Sequence, residues 1–263
     1  MDVRTVTAPV AGVASQFFAG VRLFARGLRV HARSARIFWL GVIPAMISGI
    51  VFVGAYAALI YFVGDLAELL TPFAHDWAPA TRSLLRVIVV VALLGLGLLV
   101  GMLTFTAVTL LIGDPFYETI SELVEDRFGG ISGEVDLPWW RSLGQSLVDS
   151  LRLVARSLLI GIPLLIGGFI PVIGQTVIPV LGALVGGWFL ALELVGVPFS
   201  RRGMRLPDRR RALKANRPVA LGFGVAVFLC FLIPLGAVLF MPAAVAGATL
   251  LARQSLGQPI EES

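Results

Sequence analysis

Apolar and charged positions divide this chain into four uncharged stretches, separated by basic or mixed segments. Residues 37–64 and 87–113 each run without a charged side chain. Both exceed the ~20 residues that a helix needs to cross a ~30 Å hydrocarbon core. Two further stretches, 157–192 and 219–252, are longer still, but Pro171 and Pro179 interrupt the first, and Pro234 and Pro242 the second. Proline removes an N–H and clashes with the preceding turn, so neither stretch can run as one unbent helix. The segment 157–170 supplies only about 21 Å of helix, too little to span. A hairpin that enters, turns at 171–175 and leaves by 192 fits that length. The last stretch reads alike, entering over 219–233, turning near 234–236 and leaving by 252. In both, an isoleucine precedes the first proline (Ile170, Ile233) and the second proline follows eight positions later, a weak internal repeat. Two tightly packed full transmembrane pairs are the alternative.

Composition supports lipid burial. Of the 263 residues 57% are hydrophobic and only 14% charged, against about 25% charged in soluble domains. So much apolar surface has to be covered by lipid, and in lipid the backbone must satisfy itself within helices. The expected class is an all-α integral membrane protein in a single membrane domain, 1–263. It would have two long transmembrane helices, two proline-broken, partially inserted hairpins (157–197 and 218–252) and an N-terminal amphipathic helix over 10–34. No signal peptide is expected, because the first apolar run is too long for one and follows a basic segment.

That basic segment carries two stripes at helical spacing. Phe17, Val21, Phe24 and Leu28 form one; Arg22, Arg26, Arg29 and Arg33 form the other. A helix in the headgroup region, arginines toward phosphates and phenylalanines toward acyl chains, satisfies both. An anion-collecting surface for a transported solute is the second reading. Arginine accumulates here and again over 201–217, whereas 65–86 is nearly balanced. Basic loops stay in the cytoplasm, which puts both clusters and both termini on the cytoplasmic side if the hairpins return to the face they left. Topology therefore explains the net charge of +5 without a nucleic-acid partner.

The polar segment 114–156 is expected to be a cytoplasmic helical part. Asp114-Pro115 reads as an N-cap and first helical position. Glu118, Glu122 and Glu125 would then share one side, and Gly129-Gly130 would stop the helix. Pro138-Trp139-Trp140 reads as an interfacial anchor, followed by a surface helix over 141–156. Gly97 with Gly101, and Gly182 with Gly186, give the G-x-x-x-G spacing of close helix contacts. Cys230 reads as an inert core residue, and His31 and His75 have no metal-ligating neighbours in sequence. With no nucleophile elbow or phosphate-binding glycine loop, no enzyme, catalytic residue, metal or cofactor is expected. Glu193, near the end of an apolar stretch, suits snorkelling or an arginine partner. The tail 254–263 reads as disordered.

Several runs resemble the CysZ sulfate permeases, grouped with the etoposide-induced 2.4 proteins. They are Phe169-Ile170-Pro171-Val172-Ile173-Gly174-Gln175-Thr176-Val177-Ile178-Pro179-Val180-Leu181, Pro198-Phe199 with the basic loop behind it, Ile233-Pro234, and Phe240-Met241-Pro242-Ala243-Ala244-Val245-Ala246-Gly247-Ala248-Thr249. Pro115-Phe116 with its acidic helix also corresponds. The resemblance extends over 15–255. It implies a homo-oligomer in the bacterial cytoplasmic membrane, with sulfate uptake feeding cysteine synthesis. It also implies a sulfate site made by backbone amides after the Pro-Phe pair, here Tyr117, Glu118 and Thr119, helped by Arg33 and Arg36 before the first transmembrane helix. Helix-start amides and guanidinium groups suit a sulfate dianion. At the hairpin tips Pro171, Gly174, Gln175, Thr176 and Pro234 are candidates to line a pore, since broken helices at membrane depth are where solute sites form. Gln175 could instead cap the broken backbone. The alternative function is a membrane scaffold or lipid-associated protein that holds anionic lipids with its arginines.

Overall fold

The computed structural model describes residues 12–131 and 139–260. Among them the regular structure is helical: α1 (Val13–Arg33), α2 (Ala35–Leu70), α3 (Pro79–Arg127), α4 (Trp139–Gly167), α5 (Ile173–Leu194), α6 (Gly196–Ser200), α7 (Leu206–Ala215), α8 (Arg217–Phe231) and α9 (Gly236–Ser255), with a 3-10 turn at Pro72–Ala74. Helices α2, α3 and α9, and Gly174–Leu194 of α5, are long and apolar enough to cross a membrane. The protein is therefore an all-α membrane protein. Its chain forms two compact units, Val42–Asp114 and the combination of Met1–Gly41 with Pro115–Ser263.

Within Val42–Asp114 the two long helices run antiparallel. Phe52 and Phe105 meet edge-on at 5.5 Å, and the Tyr56 hydroxyl donates to the Leu94 carbonyl at 3.3 Å. Gly97 lies directly under Leu59, so the first G-x-x-x-G serves the contact between these two helices. At the far end Arg86 pairs with Glu68 at 2.7 Å; both side chains are exposed enough that the pair contributes little. In the most apolar window of α3 no residue is buried by the chain itself. Ile50, Val53, Val91, Met102 and Leu103 stand outward, and that surface is stable only against hydrocarbon or another protein.

The second unit is organised around α9, whose apolar window is 78% buried. Ala243, Ala244, Ala246, Gly247 and Ala248 are small enough for neighbouring helices to approach it closely. Helix α1 crosses α8 where Gly20 meets the Val219 carbonyl and the Phe223 amide, and crosses α9 where Gly27 meets Gly247. Phe24 packs edge-on against Phe223 at 6.3 Å and against Phe240 at 6.5 Å. The buried face of α1 is thus Gly20, Leu23, Phe24 and Gly27, a helical period offset from the apolar stripe seen in sequence. Phe24 turns into the protein, and Phe17 and Leu28 are half-buried, while Arg22, Arg26, Arg29 and Arg33 stay exposed. A third glycine crossing joins α5 to α8, where Gly187 and Gly224 pack backbone on backbone.

Both later stretches are helix pairs, α4–α5 and α8–α9, with turns that correspond. The residue after each leading proline has positive φ, Val172 at 70° and Leu235 at 61°. In each, the next glycine (Gly174, Gly236) is pressed against a carbonyl six residues back, on Gly168 and on Cys230.

Three expectations change. Helix α3 runs unbroken through Asp114 and Pro115, so no helix starts there. Pro115 forfeits one backbone bond, but Tyr117, Ile120, Ser121 and Val124 beyond it are buried, and that packing holds the helix together. Helix α4 is likewise continuous from Trp139 to Gly167; a surface helix over 141–156 is not separate from the first hairpin arm, because no glycine or proline lies between Gly144 and Gly161 to stop it. Pro138 lies outside the described residues. The tail is ordered as far as residue 260, where the Pro259 carbonyl accepts a bond from Arg253.

Candidate functional site

The strongest electrostatic feature is a buried carboxylate held by two arginines. Ser121 and Glu125 lie one turn apart on α3; Thr249 and Arg253 lie one turn apart on α9. The matching spacing makes two polar rungs between the helices. Ser121 and Thr249 hydroxyls meet at 2.9 Å, and Arg253 Nη1 donates to Glu125 Oε2 at 2.5 Å. Arg202, from the loop behind Pro198-Phe199, donates to Glu125 Oε1 at 2.7 Å.

The remaining donors on both guanidinium groups are largely consumed. Arg253 bonds the carbonyls of Gly130, Phe128 and Pro259 and stacks over the Phe128 ring at 5.8 Å. Arg202 bonds the Pro198 carbonyl and Gln258 Oε1, each at 2.8 Å. Gly129 and Gly130, at φ of 95° and 71°, are what let the end of α3 curl so that its carbonyls face Arg253; only glycine takes that backbone cheaply. Apart from Arg202 Nε, which is buried without a partner, these donors are taken up, and the cluster is a clamp on α3, α9, the basic loop and the tail.

Arginines with donors to spare lie elsewhere. Arg33 ends α1 and Arg36 opens α2, on either side of Ser34, where the backbone turns extended (φ −111°, ψ 106°). The Ser34 hydroxyl accepts from the Ile37 amide at 3.5 Å. Both arginines are exposed, and among the described residues neither is ion-paired. Tyr117, Glu118 and Thr119 lie inside α3, one turn of helix ahead of Ser121. Tyr117 is buried, Glu118 is exposed, and the Thr119 hydroxyl donates to the Pro115 carbonyl at 3.0 Å.

At the first hairpin tip, Gly174 is buried and its amide donates to the Ile170 carbonyl at 2.7 Å. Pro171, Gln175 and Thr176 are exposed there, and Pro234 is exposed at the second tip. No side chain caps the start of α5; the Thr176 hydroxyl instead donates back to the Val172 carbonyl at 2.7 Å. Glu193 is exposed near the end of α5.

Sequence reasoning assigned no role to Arg253, which merely ended an apolar stretch, nor to Arg202 among its many basic neighbours. The legible signal was the shared four-residue spacing of Ser121 with Glu125 and Thr249 with Arg253.

Long uncharged helices, glycine-crossed helix pairs and charge confined to their ends define a helical multi-pass membrane protein. Residues 23–242 match the family described as Sulfate transporter CysZ/Etoposide-induced protein 2.4, and the chain belongs to that family. It is 31% identical over 236 residues to the sulfate transporter CysZ of Pseudomonas syringae pv. tomato, covering 88% of this chain and 90% of that one. The corresponding Pseudomonas aeruginosa (strain LESB58) protein is 30% identical over 236 residues, covering 88% and 93%. That of Pectobacterium atrosepticum is 28% identical over 240 residues, covering 89% and 82%. The protein is thus a bacterial membrane protein, and not an enzyme.

Proposed function

We propose that this protein carries sulfate across the bacterial inner membrane into the cytoplasm. One observation carries the reading: similarity to proteins named sulfate transporter CysZ runs through 88% of the chain. A scaffold without a solute path has no comparable support.

Sulfate is first met by Arg33 and Arg36, whose guanidinium groups are exposed and suit bidentate oxyanion contacts. The amides of Tyr117, Glu118 and Thr119 are the second half of the proposed site. Because α3 is continuous there, they become donors only when the helix opens at Pro115, whose missing N–H already leaves one bond unmade.

Helix α8 has 15 residues, about 22 Å, short of the ~30 Å core, which supports reading the α8–α9 pair as a partial insertion. Arg202 precedes that pair and Arg253 closes it, yet both hold Glu125. That shared partner supports reading the loop and the end of α9 on one face, the cytoplasmic one by their arginine content. The polar tip residues Gln175 and Thr176 at membrane depth need protein or water around them, and a second copy of the chain lining a wet path meets that need.

Liposomes containing the full-length protein should accumulate radiolabelled sulfate. Replacing Arg33 and Arg36 together by alanine should slow this by about tenfold or more, since each charge-assisted contact contributes about 1.5–3 kcal/mol. Uptake no greater than in empty vesicles would remove the proposal.

A further inference from the structure

Three arginines that the sulfate reading leaves unused converge on one cavity. Arg156 of α4, Arg210 of α7 and Arg217 of α8 line a space of about 510 Å³, whose walls include Leu153, Ile160, Trp188 and Phe189. A 107° bend between α7 and α8 is what brings Arg210 back beside Arg217. Arg217 stands over the Trp188 ring at 5.8 Å. All three arginines are exposed, and among the described residues none is paired with a carboxylate. Three like charges around an apolar pocket repel one another and call for an anion.

The cavity does not end at the arginines. A second space of about 330 Å³, sharing Val185 and Phe189 with the first, continues between α4 and α5 to Gly168 at the hairpin turn. No charged residue lines it. A Cβ placed on Gly161 or on Gly182 would meet nothing within 4 Å, so bare backbone forms an open groove there. From Ser157 to Gly168 the groove runs about 17 Å, close to the ~15 Å that one leaflet contributes to a ~30 Å core. Trp188 beside Arg217 marks the interfacial level, where tryptophan and arginine collect.

We infer that this trough binds one anionic phospholipid. The phosphodiester sits among Arg156, Arg210 and Arg217, and one acyl chain lies along the glycine-floored groove toward Gly168. Guanidinium groups suit a phosphodiester because they offer paired donors in the plane of its oxygens. Free sulfate or phosphate shares that headgroup chemistry, but neither has any use for an uncharged groove one leaflet deep.

The test uses full-length protein stripped of lipid in detergent, with helical content checked by circular dichroism. Native mass spectrometry then counts retained lipid after exposure to phosphatidylglycerol, phosphatidylcholine, or phosphatidylglycerol with excess inorganic sulfate. The expected result is one phosphatidylglycerol retained per protomer, at least tenfold preferred over phosphatidylcholine and undisturbed by sulfate at matched ionic strength. Replacing all three arginines by glutamine should weaken retention at least tenfold. Gly161→Leu with Gly182→Leu puts side chains into the groove from positions where an added Cβ meets nothing within 4 Å, and should also weaken retention at least tenfold with the arginines intact. Should the triple variant misfold, Arg210→Gln alone, expected to weaken retention severalfold, decides the headgroup half. Equal retention of both lipids, or by wild type and groove-filled variant, overturns the lipid site. Displacement by sulfate overturns it too, in favour of an inorganic-anion site.

Discussion

Glu125 and Arg253 stand 128 residues apart in the chain, and their side chains meet at 2.5 Å in the interior, 1% and 3% exposed. With Arg202 as a second cationic partner at 2.7 Å, this carboxylate ties the end of α3 to the end of α9. Removing one member of such a set leaves the others charged and dry, which is far worse than never having buried them.

Glu125→Gln should therefore cost about 3–5 kcal/mol of stability. Arg253→Met should also destabilise, and the double variant should cost less than the sum, because the two changes remove one shared interaction and leave only Arg202 without its carboxylate. Thermal unfolding of the three variants in detergent checks this; additive losses would show that the pair does not interact.

The Gly187–Gly224 crossing gives a steric prediction. A Cβ on Gly224 would overlap the Gly187 carbonyl, and one on Gly187 would lie 2.6 Å from the Val225 amide. Backbone cannot step aside as a flexible side chain can. Gly224→Ala should destabilise by about 1–3 kcal/mol and Gly224→Leu by more, read as loss of a monodisperse peak in size exclusion. Gly49→Ala, whose Cβ would meet nothing within 4 Å, serves as the tolerated control.

The hairpin turn gives a prediction of opposite sign. Val172 is β-branched and sits at φ 70°, ψ −58°, a strained conformation that glycine adopts freely. Val172→Gly should raise stability by about 1 kcal/mol once the extra entropy of the unfolded glycine is offset. Leu235, at φ 61°, ψ 5°, lies in the left-handed well, so Leu235→Gly should be closer to neutral. Melting curves for both variants decide it, and a clear loss at Val172 would contradict the turn geometry.

His31 supplies a pH dependence. Its ring lies 5.6 Å from that of Phe38, and burial lowers its pKa below the usual 6.5. The unfolded chain takes up this proton more readily than the folded one, so stability rises with pH between the lowered folded value and about 6.5. Acidification from pH 7.5 to 5.5 should lower the melting temperature, and His31→Gln should make that fall smaller. An unchanged slope in the variant would assign the effect to other groups.

Much of this was legible in advance because lipid enforces simple rules. The uncharged runs 37–64 and 87–113 fall within α2 and α3, since only a helix satisfies its own backbone in hydrocarbon. Pro171 and Pro234 marked both turns because a missing N–H acts locally. Pro115 misled for a complementary reason: the local cost was one bond, and the buried face formed by Tyr117, Ile120, Ser121 and Val124 outweighed it. The proposed site was legible only as composition, since Arg33 and Arg36 could be seen to be basic and near a helix junction.

Local chemistry and hydrophobic length alone settled the class, the helix pairs and the places where they turn; these depend on nearest neighbours and on the thickness of a bilayer. Which charges are spent and which remain available was decided by folding in three dimensions. Arg202, Arg210 and Arg217 sit in one basic segment and are indistinguishable there, yet the first is locked onto Glu125 while the other two face a cavity. Electrostatic partnership depends on distances of a few ångströms between residues far apart along the chain, and one-dimensional spacing does not encode those distances.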